Sequence, residues 1–315
     1  LFLAMTVTPI DSALPPLLAP VLTPFDSRGE PDHHRLKEHC QWLLSRGSGL
    51  AVFGTNSEGN SMSVRQKRGC LDFLVEQGLP AAMMMPGTGA CSVDDAVHLS
   101  EAAFDLGVGG VLMLPPFYYK APTEDGLFTY FSQVIEKIKS PNKKIYVYNI
   151  PQVSHIEMSV DLLERLVTSF PGVVVGMKDS SGDWPYTQAC IQRLKPHGFR
   201  VYAGSEQFLL QGLKEGGVGC ISATANINPL AISNLANSWQ DKTAETQQLR
   251  LNEVRQAFQK FPMIAAMKSA IADSLNDDEW RRLQPPLAAL KKSESEALRA
   301  SLEQINFKVD KQPGR

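Results

Sequence analysis

A (β/α)8 barrel of the TIM type, carrying a C-terminal helical extension, is the fold class the sequence predicts, and three observations predict it. Eight short apolar runs recur along the 315 residues, each flanked by turn residues. Amphipathic segments with helical periodicity separate them. The runs are continuous rather than alternating in polarity, which is the pattern of parallel strands covered on both faces. Such alternation forces right-handed crossovers, and eight units close a barrel whose interior is filled by side chains. A doubly wound open sheet is the competing arrangement.

The strands are expected over 17–22, 49–53, 81–85, 110–114, 144–148, 173–177, 200–203 and 218–222. The helix expected over 32–46 sets Leu36, Cys40, Leu43 and Leu44 on one face, and the next, over 63–77, opens on the capping-box pair Ser63 and Gln66. Further helices are expected over 92–106, 124–139, 159–169, 184–194, 206–215 and 229–239. After Trp239 the strand signal stops, and 242–258, 262–275 and 287–305 read as helices with charged outer faces. Their apolar faces suit either the barrel flank or a neighbouring subunit. The domain reading is therefore an N-terminal arm over 1–16, a catalytic barrel over 17–240 and a helical extension over 241–315.

Composition narrows the function. An apolar share of 43% with 20% charged residues is that of a well-buried globule. Lys plus Arg total 31 against 33 Asp plus Glu, and the absence of a long basic run argues against a nucleic-acid or anionic-membrane surface. A small molecule is the expected partner. Cys40, Cys70, Cys91, Cys190 and Cys220 form no CxxC pair, so neither a disulfide framework nor a zinc cluster is indicated, and a reducing cytoplasm is the expected compartment. No stretch approaches the ~18 apolar residues of a membrane span. The apolar start of the chain lacks a basic n-region and a small-residue cleavage site.

In such barrels the chemistry sits where the strands end. Three strand ends are conspicuous: Gly54–Thr55–Asn56–Ser57–Glu58–Gly59 after the second, Tyr148–Asn149–Ile150–Pro151 after the fifth and Lys178–Asp179–Ser180–Ser181–Gly182 after the sixth. The fifth and sixth strands are neighbours ~4.8 Å apart, so Lys178 and Tyr148 at equal height bring an amine and a phenol together. Burying an amine disfavours its charged form, and the exposed lone pair adds to a ketone to form a Schiff base. The phenol relays protons. The Gly-bounded turn offers N–H groups and the Thr55 hydroxyl to a carboxylate, an anchor for a 2-oxo acid. The plainer reading makes Lys178 and Asp179 a solvated ion pair, Tyr148 an aromatic plug and the Gly-bounded segment an ordinary turn.

These residues resemble the pyruvate-dependent class I aldolases and lyases, the family that includes dihydrodipicolinate synthase and N-acetylneuraminate lyase. The resemblance spans about Ala19 to Trp239. It rests on VLTPF at Val21–Phe25, GTNSE at Gly54–Glu58, PPFYY at Pro115–Tyr119, YNIP at Tyr148–Pro151, GMKD at Gly176–Asp179 and GGVGCISATAN at Gly216–Asn226. It implies a Schiff-base Lys178, a proton-relay Tyr148, and Thr55 with the Asn56 backbone on the keto-acid carboxylate. It further implies that Tyr118 enters a neighbouring subunit's site within a homo-oligomer, a tetramer or dimer, and that the backbone around Ile221 closes the pyruvate pocket. Ser180 and Gly204, just past the sixth and seventh strands, join the expected substrate contacts. No metal or organic cofactor is implied.

Three departures bear on specificity. Where dihydrodipicolinate synthases carry an arginine two residues after the YNxP proline, this chain has Val153, which cannot pair bidentately with a second carboxylate. Ser57 replaces the usual Gly of the turn, and Ser154–His155 replaces a small T-G pair; both are expected to change pocket shape. The segment 59–67 lacks the histidines that resemble a lysine-feedback site, so inhibition by lysine is not expected. His33, His34 and His39 lack the i, i+4 spacing of a helical metal pair and read as a solvated helix start. The expected activity is a Schiff-base lyase, an aldolase or dehydratase, acting on pyruvate or a related 2-keto acid. The competing readings are a true 4-hydroxy-tetrahydrodipicolinate synthase, a metal-dependent barrel aldolase or isomerase, and a barrel that only binds a keto acid.

Overall fold

Along β4 (Ile145–Asn149), successive side chains join different cores, as the two-residue period of a strand requires. Tyr146 and Tyr148 pack with Leu18, Leu112, Tyr202 and Ile221 inside the sheet. Ile145 and Val147 pack outward with Val111, Met113, Met177 and Val201. The structure, a computed structural model, describes residues 14–309. The other strands are β1 (Leu17–Ala19), β2 (Gly49–Leu50), β3 (Val111–Met113), β5 (Val174–Asp179), β6 (Arg200–Ala203) and β7 (Gly219–Ile221). They form a seven-stranded parallel sheet in the order β2-β1-β7-β6-β5-β4-β3.

The two ends of that order are joined by residues 84–88. Met85 N–H donates to Leu50 C=O at 2.8 Å and Gly87 N–H to Val52 C=O at 2.7 Å, while Leu112 N–H donates to Pro86 C=O at 2.9 Å. The sheet therefore closes into a (β/α)8 barrel, and the open-sheet alternative falls. The expected third strand is displaced: Ala81–Met83 is a 3-10 turn, and the segment after it pairs only through isolated bridges. Pro86 has no N–H to give the ladder. Pro20 likewise ends β1 at Ala19, short of the expected Leu22.

Nine helices wrap the described barrel: α1 (His33–Ser45), α2 (Val64–Glu76), α3 (Val93–Asp105), α4 (Glu124–Lys137), α5 (Pro151–Ser154), α6 (Val160–Ser169), α7 (Trp184–Leu194), α8 (Leu209–Glu215) and α9 (Pro229–Asn237). Five of them start on a side-chain oxygen that accepts a first-turn N–H: Asp32, Ser63, Ser92, Thr123 and Ser159. Each cap contributes ~1 kcal/mol. The Ser63–Gln66 box forms as the sequence predicts.

Three helices follow, α10 (Ala244–Gln259), α11 (Met263–Leu275) and α12 (Lys292–Gln304). Their Val254, Phe258, Met267, Ile271 and Leu298 pack against Leu22, Ala223 and Ile227 of the barrel rim. The extension thus covers its own barrel, which decides between the flank and the neighbouring subunit for these faces. Of the expected arm, residues 1–13 lie outside the described residues. Leu14 belongs to the inner core, and its carbonyl accepts from Arg200 Nη2 at 3.1 Å and from the Tyr202 hydroxyl at 3.2 Å.

His39 corrects the solvated-start reading, because it is wholly buried between Trp42 and Trp280. Asn226 gives its amide N–H groups to the carbonyls of Pro20 and Ala223, and its Oδ1 accepts from Leu22 N–H. His39 Nε2, 3.0 Å from that same oxygen, is therefore the donor. Burial pushes the imidazole pKa down to about 4, against the smaller opposing effect of Asn226.

Candidate active site

Parallel pairing of β4 with β5 sets Tyr148 directly beside Lys178, and Asn149 beside Asp179. Both strands end in the barrel mouth, so the amine and the phenol emerge side by side from a dry wall. Each of the two residues is only 2% exposed, and Lys178 Nζ lies 4.5 Å from the centre of the Tyr148 ring. The Tyr148 hydroxyl is 3.4 Å from Thr55 Oγ1, at the outer limit of a hydrogen bond. The solvated ion-pair reading of Lys178 and Asp179 fails on burial. It fails also on partners: the Asp179 carboxylate accepts from Asn149 Nδ2 (2.9 Å), Ser181 N–H (3.0 Å), Ser181 Oγ (2.9 Å) and Thr187 Oγ1 (2.5 Å). Asp179 holds the strand end together, and Lys178 faces the mouth.

The turn that carries Thr55 is shaped by its backbone. Phe53 and Glu58 both take positive φ, +63° and +58°, an uncommon conformation for residues with side chains. A Cβ on Gly59 would meet the Phe53 carbonyl oxygen at 2.0 Å, so only glycine closes the turn. Among the described residues, the N–H groups of Thr55 and Asn56 donate to no other group. They are available to an anion.

Glu58 anchors this turn from below. It forms a wholly buried ion pair with Lys268 of α11, and its other oxygen accepts from Gln284 N–H at 2.6 Å. Lys268 also donates to the Arg282 carbonyl at 2.7 Å and lies 4.7 Å from the centre of the Phe25 ring. Desolvation outweighs the attraction of Glu58 and lowers the amine pKa to about 8.

A cavity of about 430 Å³ opens over these residues. Thr55, Asn56, Tyr148, Val153, Lys178, Ser180 and Gly204 all line it. A Cβ on Gly204 would meet Ser180 Oγ at 2.1 Å, which explains a glycine there. Ile221 and Tyr118 do not line this cavity. Ile221 is buried in the inner core, and Ala223, two residues on, reaches the cavity instead. Tyr118 is 72% exposed on the outer surface, edge-on to Tyr119, and does not line the cavity of its own chain. The expectation that Ser57 and Ser154–His155 reshape the pocket is corrected, since none of the three lines it. Ser57 is buried with Thr23 Oγ1 on its carbonyl, and Ser154 Oγ bonds the Ile150 carbonyl.

The sequence reading missed Arg255, Gln259 and Met263, which line the cavity from α10 and the start of α11. No local signal marks them. They reach the site only because the helical extension folds back over the barrel rim.

The geometry can be set against known proteins. The chain matches the dihydrodipicolinate synthetase family over residues 14–305. It is 30% identical to a DapA-like lyase of Chloroflexus aurantiacus, across 92% of this chain and 96% of that one. It is also 30% identical to the 4-hydroxy-tetrahydrodipicolinate synthase of Agrobacterium fabrum, across 88% of this chain and 93% of the other. The crystal structure of dihydrodipicolinate synthase from Agrobacterium tumefaciens superposes with a TM-score of 0.86 at 30% identity, covering 92% of this chain and 99% of that one. With a closed barrel and a buried lysine beside a tyrosine at its mouth, the chain belongs to the dihydrodipicolinate synthetase family of pyruvate-dependent, Schiff-base-forming lyases.

Proposed function

We propose that the chain makes or breaks a carbon–carbon bond next to pyruvate, or dehydrates a related 2-keto acid, with Lys178 as the nucleophile. The observation that carries this reading is the cross-strand placement of Lys178 beside Tyr148, both buried at the cavity floor. The keto acid's carboxylate accepts from the Thr55 and Asn56 N–H groups and the Thr55 hydroxyl. The Lys178 amine adds to the C2 carbonyl to give a carbinolamine, and loss of water leaves an iminium ion. Tyr148, with Thr55 behind it, carries the proton that the departing oxygen takes up. The Tyr148 phenolate left by that transfer takes up a C3 proton to give an enamine, the enamine adds to an aldehyde carbonyl whose oxygen receives the proton back, and hydrolysis frees Lys178. The iminium is itself the electron sink, so the chemistry calls for no metal or organic cofactor.

The acceptor is not aspartate semialdehyde in this reading, because Val153 contributes no cation beside the cavity. Tyr118 acts from a neighbouring copy within a homo-oligomer, which its outward exposure supports. Five free thiols support a reducing, cytoplasmic setting.

A substrate panel tests the proposal: pyruvate with assorted aldehydes, aspartate semialdehyde among them, alongside cleavage of 2-keto-3-deoxy acids. Turnover of another aldehyde or of a 2-keto-3-deoxy acid well above aspartate semialdehyde is expected. Efficient condensation with aspartate semialdehyde would restore the biosynthetic synthase named among the relatives.

A further inference from the structure

We infer that Arg255 is a positioning residue: acting through Glu206, it fixes the ends of β6 and β7 where they wall the cavity beside Lys178. This rests on the Schiff-base reading above and adds to it a residue that touches no reacting atom.

Glu206 is a buried carboxylate just past the end of β6. It accepts from the hydroxyls of Ser222 and Thr224, both past the end of β7, and from Arg255 Nη1 of α10 at 2.8 Å. Ser222 Oγ in turn accepts from Glu206 N–H and from Arg255 Nη1, each at 3.2 Å. Gln248 of α10 donates to the Glu206 carbonyl at 2.9 Å and accepts from Leu210 N–H at 3.0 Å. One acidic residue thus joins two strand ends to one helix of the extension.

The joined segments are those that reach the cavity. Gly204 and Ser205, which precede Glu206, and Ala223, which stands between Ser222 and Thr224, line it together with Lys178. Gly204 N–H donates to the Asp179 carbonyl at 2.6 Å, and a Cβ on Gly204 would meet that same oxygen at 2.7 Å. A shift of Glu206 is therefore passed, two residues away, to the backbone next to Lys178.

Stability alone does not account for the pair. Replacing a buried ion pair by apolar residues of similar volume is often neutral or stabilising, because desolvation of both charges offsets their attraction. What a fully bonded buried cluster supplies is a fixed geometry. Without the guanidinium, Glu206 is left buried with two hydroxyls and no cation, and the strand ends are expected to part until water reaches the carboxylate. Lys178 then meets the keto carbon out of line, and a misplacement of about 1 Å costs on the order of 10² in rate. The turn that carries Thr55 is held separately, by Glu58 and Lys268, so pyruvate still binds.

Exchange of the pyruvate methyl protons in D2O, followed by NMR with no acceptor present, reads the imine steps alone. Arg255→Met is expected to lower the exchange kcat by roughly 10- to 100-fold and to change the pyruvate KM much less. Arg255→Lys restores a cation opposite Glu206 and should recover part of the loss. Glu206→Gln should cause a loss of similar size. The double variant Arg255→Met/Glu206→Gln should be no slower than the slower single variant, because residues that act through one network are not additive. Where Arg255→Met does not fold, Arg255→Lys takes its place in this cycle. Losses that multiply in the double variant would mean that Arg255 acts on substrate by itself. Wild-type exchange per folded molecule, with only the urea midpoint lowered, would make the pair a brace for the fold. Either result overturns the assignment, as does a loss confined to KM. Absent exchange in the wild type is a different failure and sinks the Lys178 reading on which the assignment rests.

Discussion

Glu58 and Lys268 form a buried ion pair that ties the Thr55-bearing turn after β2 to helix α11 of the extension. The carbonyl of Thr55 accepts from Glu58 N–H at 3.1 Å, so the pair holds the turn within one hydrogen bond of a residue that lines the cavity. The helical extension is thus part of the machinery that positions Thr55 and Asn56.

Lys268→Met should leave the Glu58 carboxylate buried with only the Gln284 N–H, at a cost of about 3–5 kcal/mol. The double variant Glu58→Gln/Lys268→Met should recover much of that loss, and both should raise the pyruvate KM more than they lower kcat. Urea titration and steady-state kinetics measure the two effects. A single variant as stable as the wild type would mean that the pair is dispensable.

Tyr148→Phe keeps the ring over Lys178 but removes the hydroxyl 3.4 Å from Thr55. Loss of the proton carrier should lower kcat by about 10²–10⁴ while pyruvate binding changes less. Turnover near that of the wild type would reduce Tyr148 to a packing residue.

Val153, 56% exposed at the cavity wall, can accept a larger side chain without repacking a core. Val153→Arg should raise kcat/KM for aspartate semialdehyde by roughly one to two decades, since a charge-assisted contact is worth about 1.5–3 kcal/mol. If activity with that aldehyde did not rise, the site's discrimination would lie elsewhere.

Acid should destabilise the fold through His39. Its folded pKa of about 4 lies below the ordinary 6.5, so between those values the unfolded chain binds a proton that the folded chain refuses. Stability therefore falls as the pH drops through this window, by about 3 kcal/mol from this group once both limits are passed. His39→Gln removes the titration, and its urea midpoint should lose less between pH 7 and pH 4.5 than that of the wild type. Parallel losses in the two proteins would assign the acid sensitivity to other groups.

The barrel and the cross-strand pair were legible because both follow from local pattern. Continuous apolar runs mark buried parallel strands, and a polar residue where a run stops, such as Lys178 or Tyr148, has only the barrel mouth to face. The displaced third strand shows the limit of that logic, for the run over 81–85 is apolar enough but sits between Pro80 and Pro86. The helix expected over 287–305 starts only at Lys292, after the Pro285–Pro286 pair, and the single helix expected over 206–215 opens instead as a 3-10 turn over Glu206–Phe208. Burial of His39 and the arrival of Arg255 at the cavity depend on packing between segments far apart in the chain. Helical periodicity places Arg255 on a face of α10 but not on the barrel rim that this face covers.

The central claim is that Lys178 is the nucleophile, and borohydride reduction in the presence of pyruvate tests it most directly. Only an imine is trapped as a stable amine, so peptide mass mapping should find one three-carbon adduct, on Lys178, and none in Lys178→Ala. An adduct on another lysine, or no adduct from a protein that turns over a keto acid, would contradict the account.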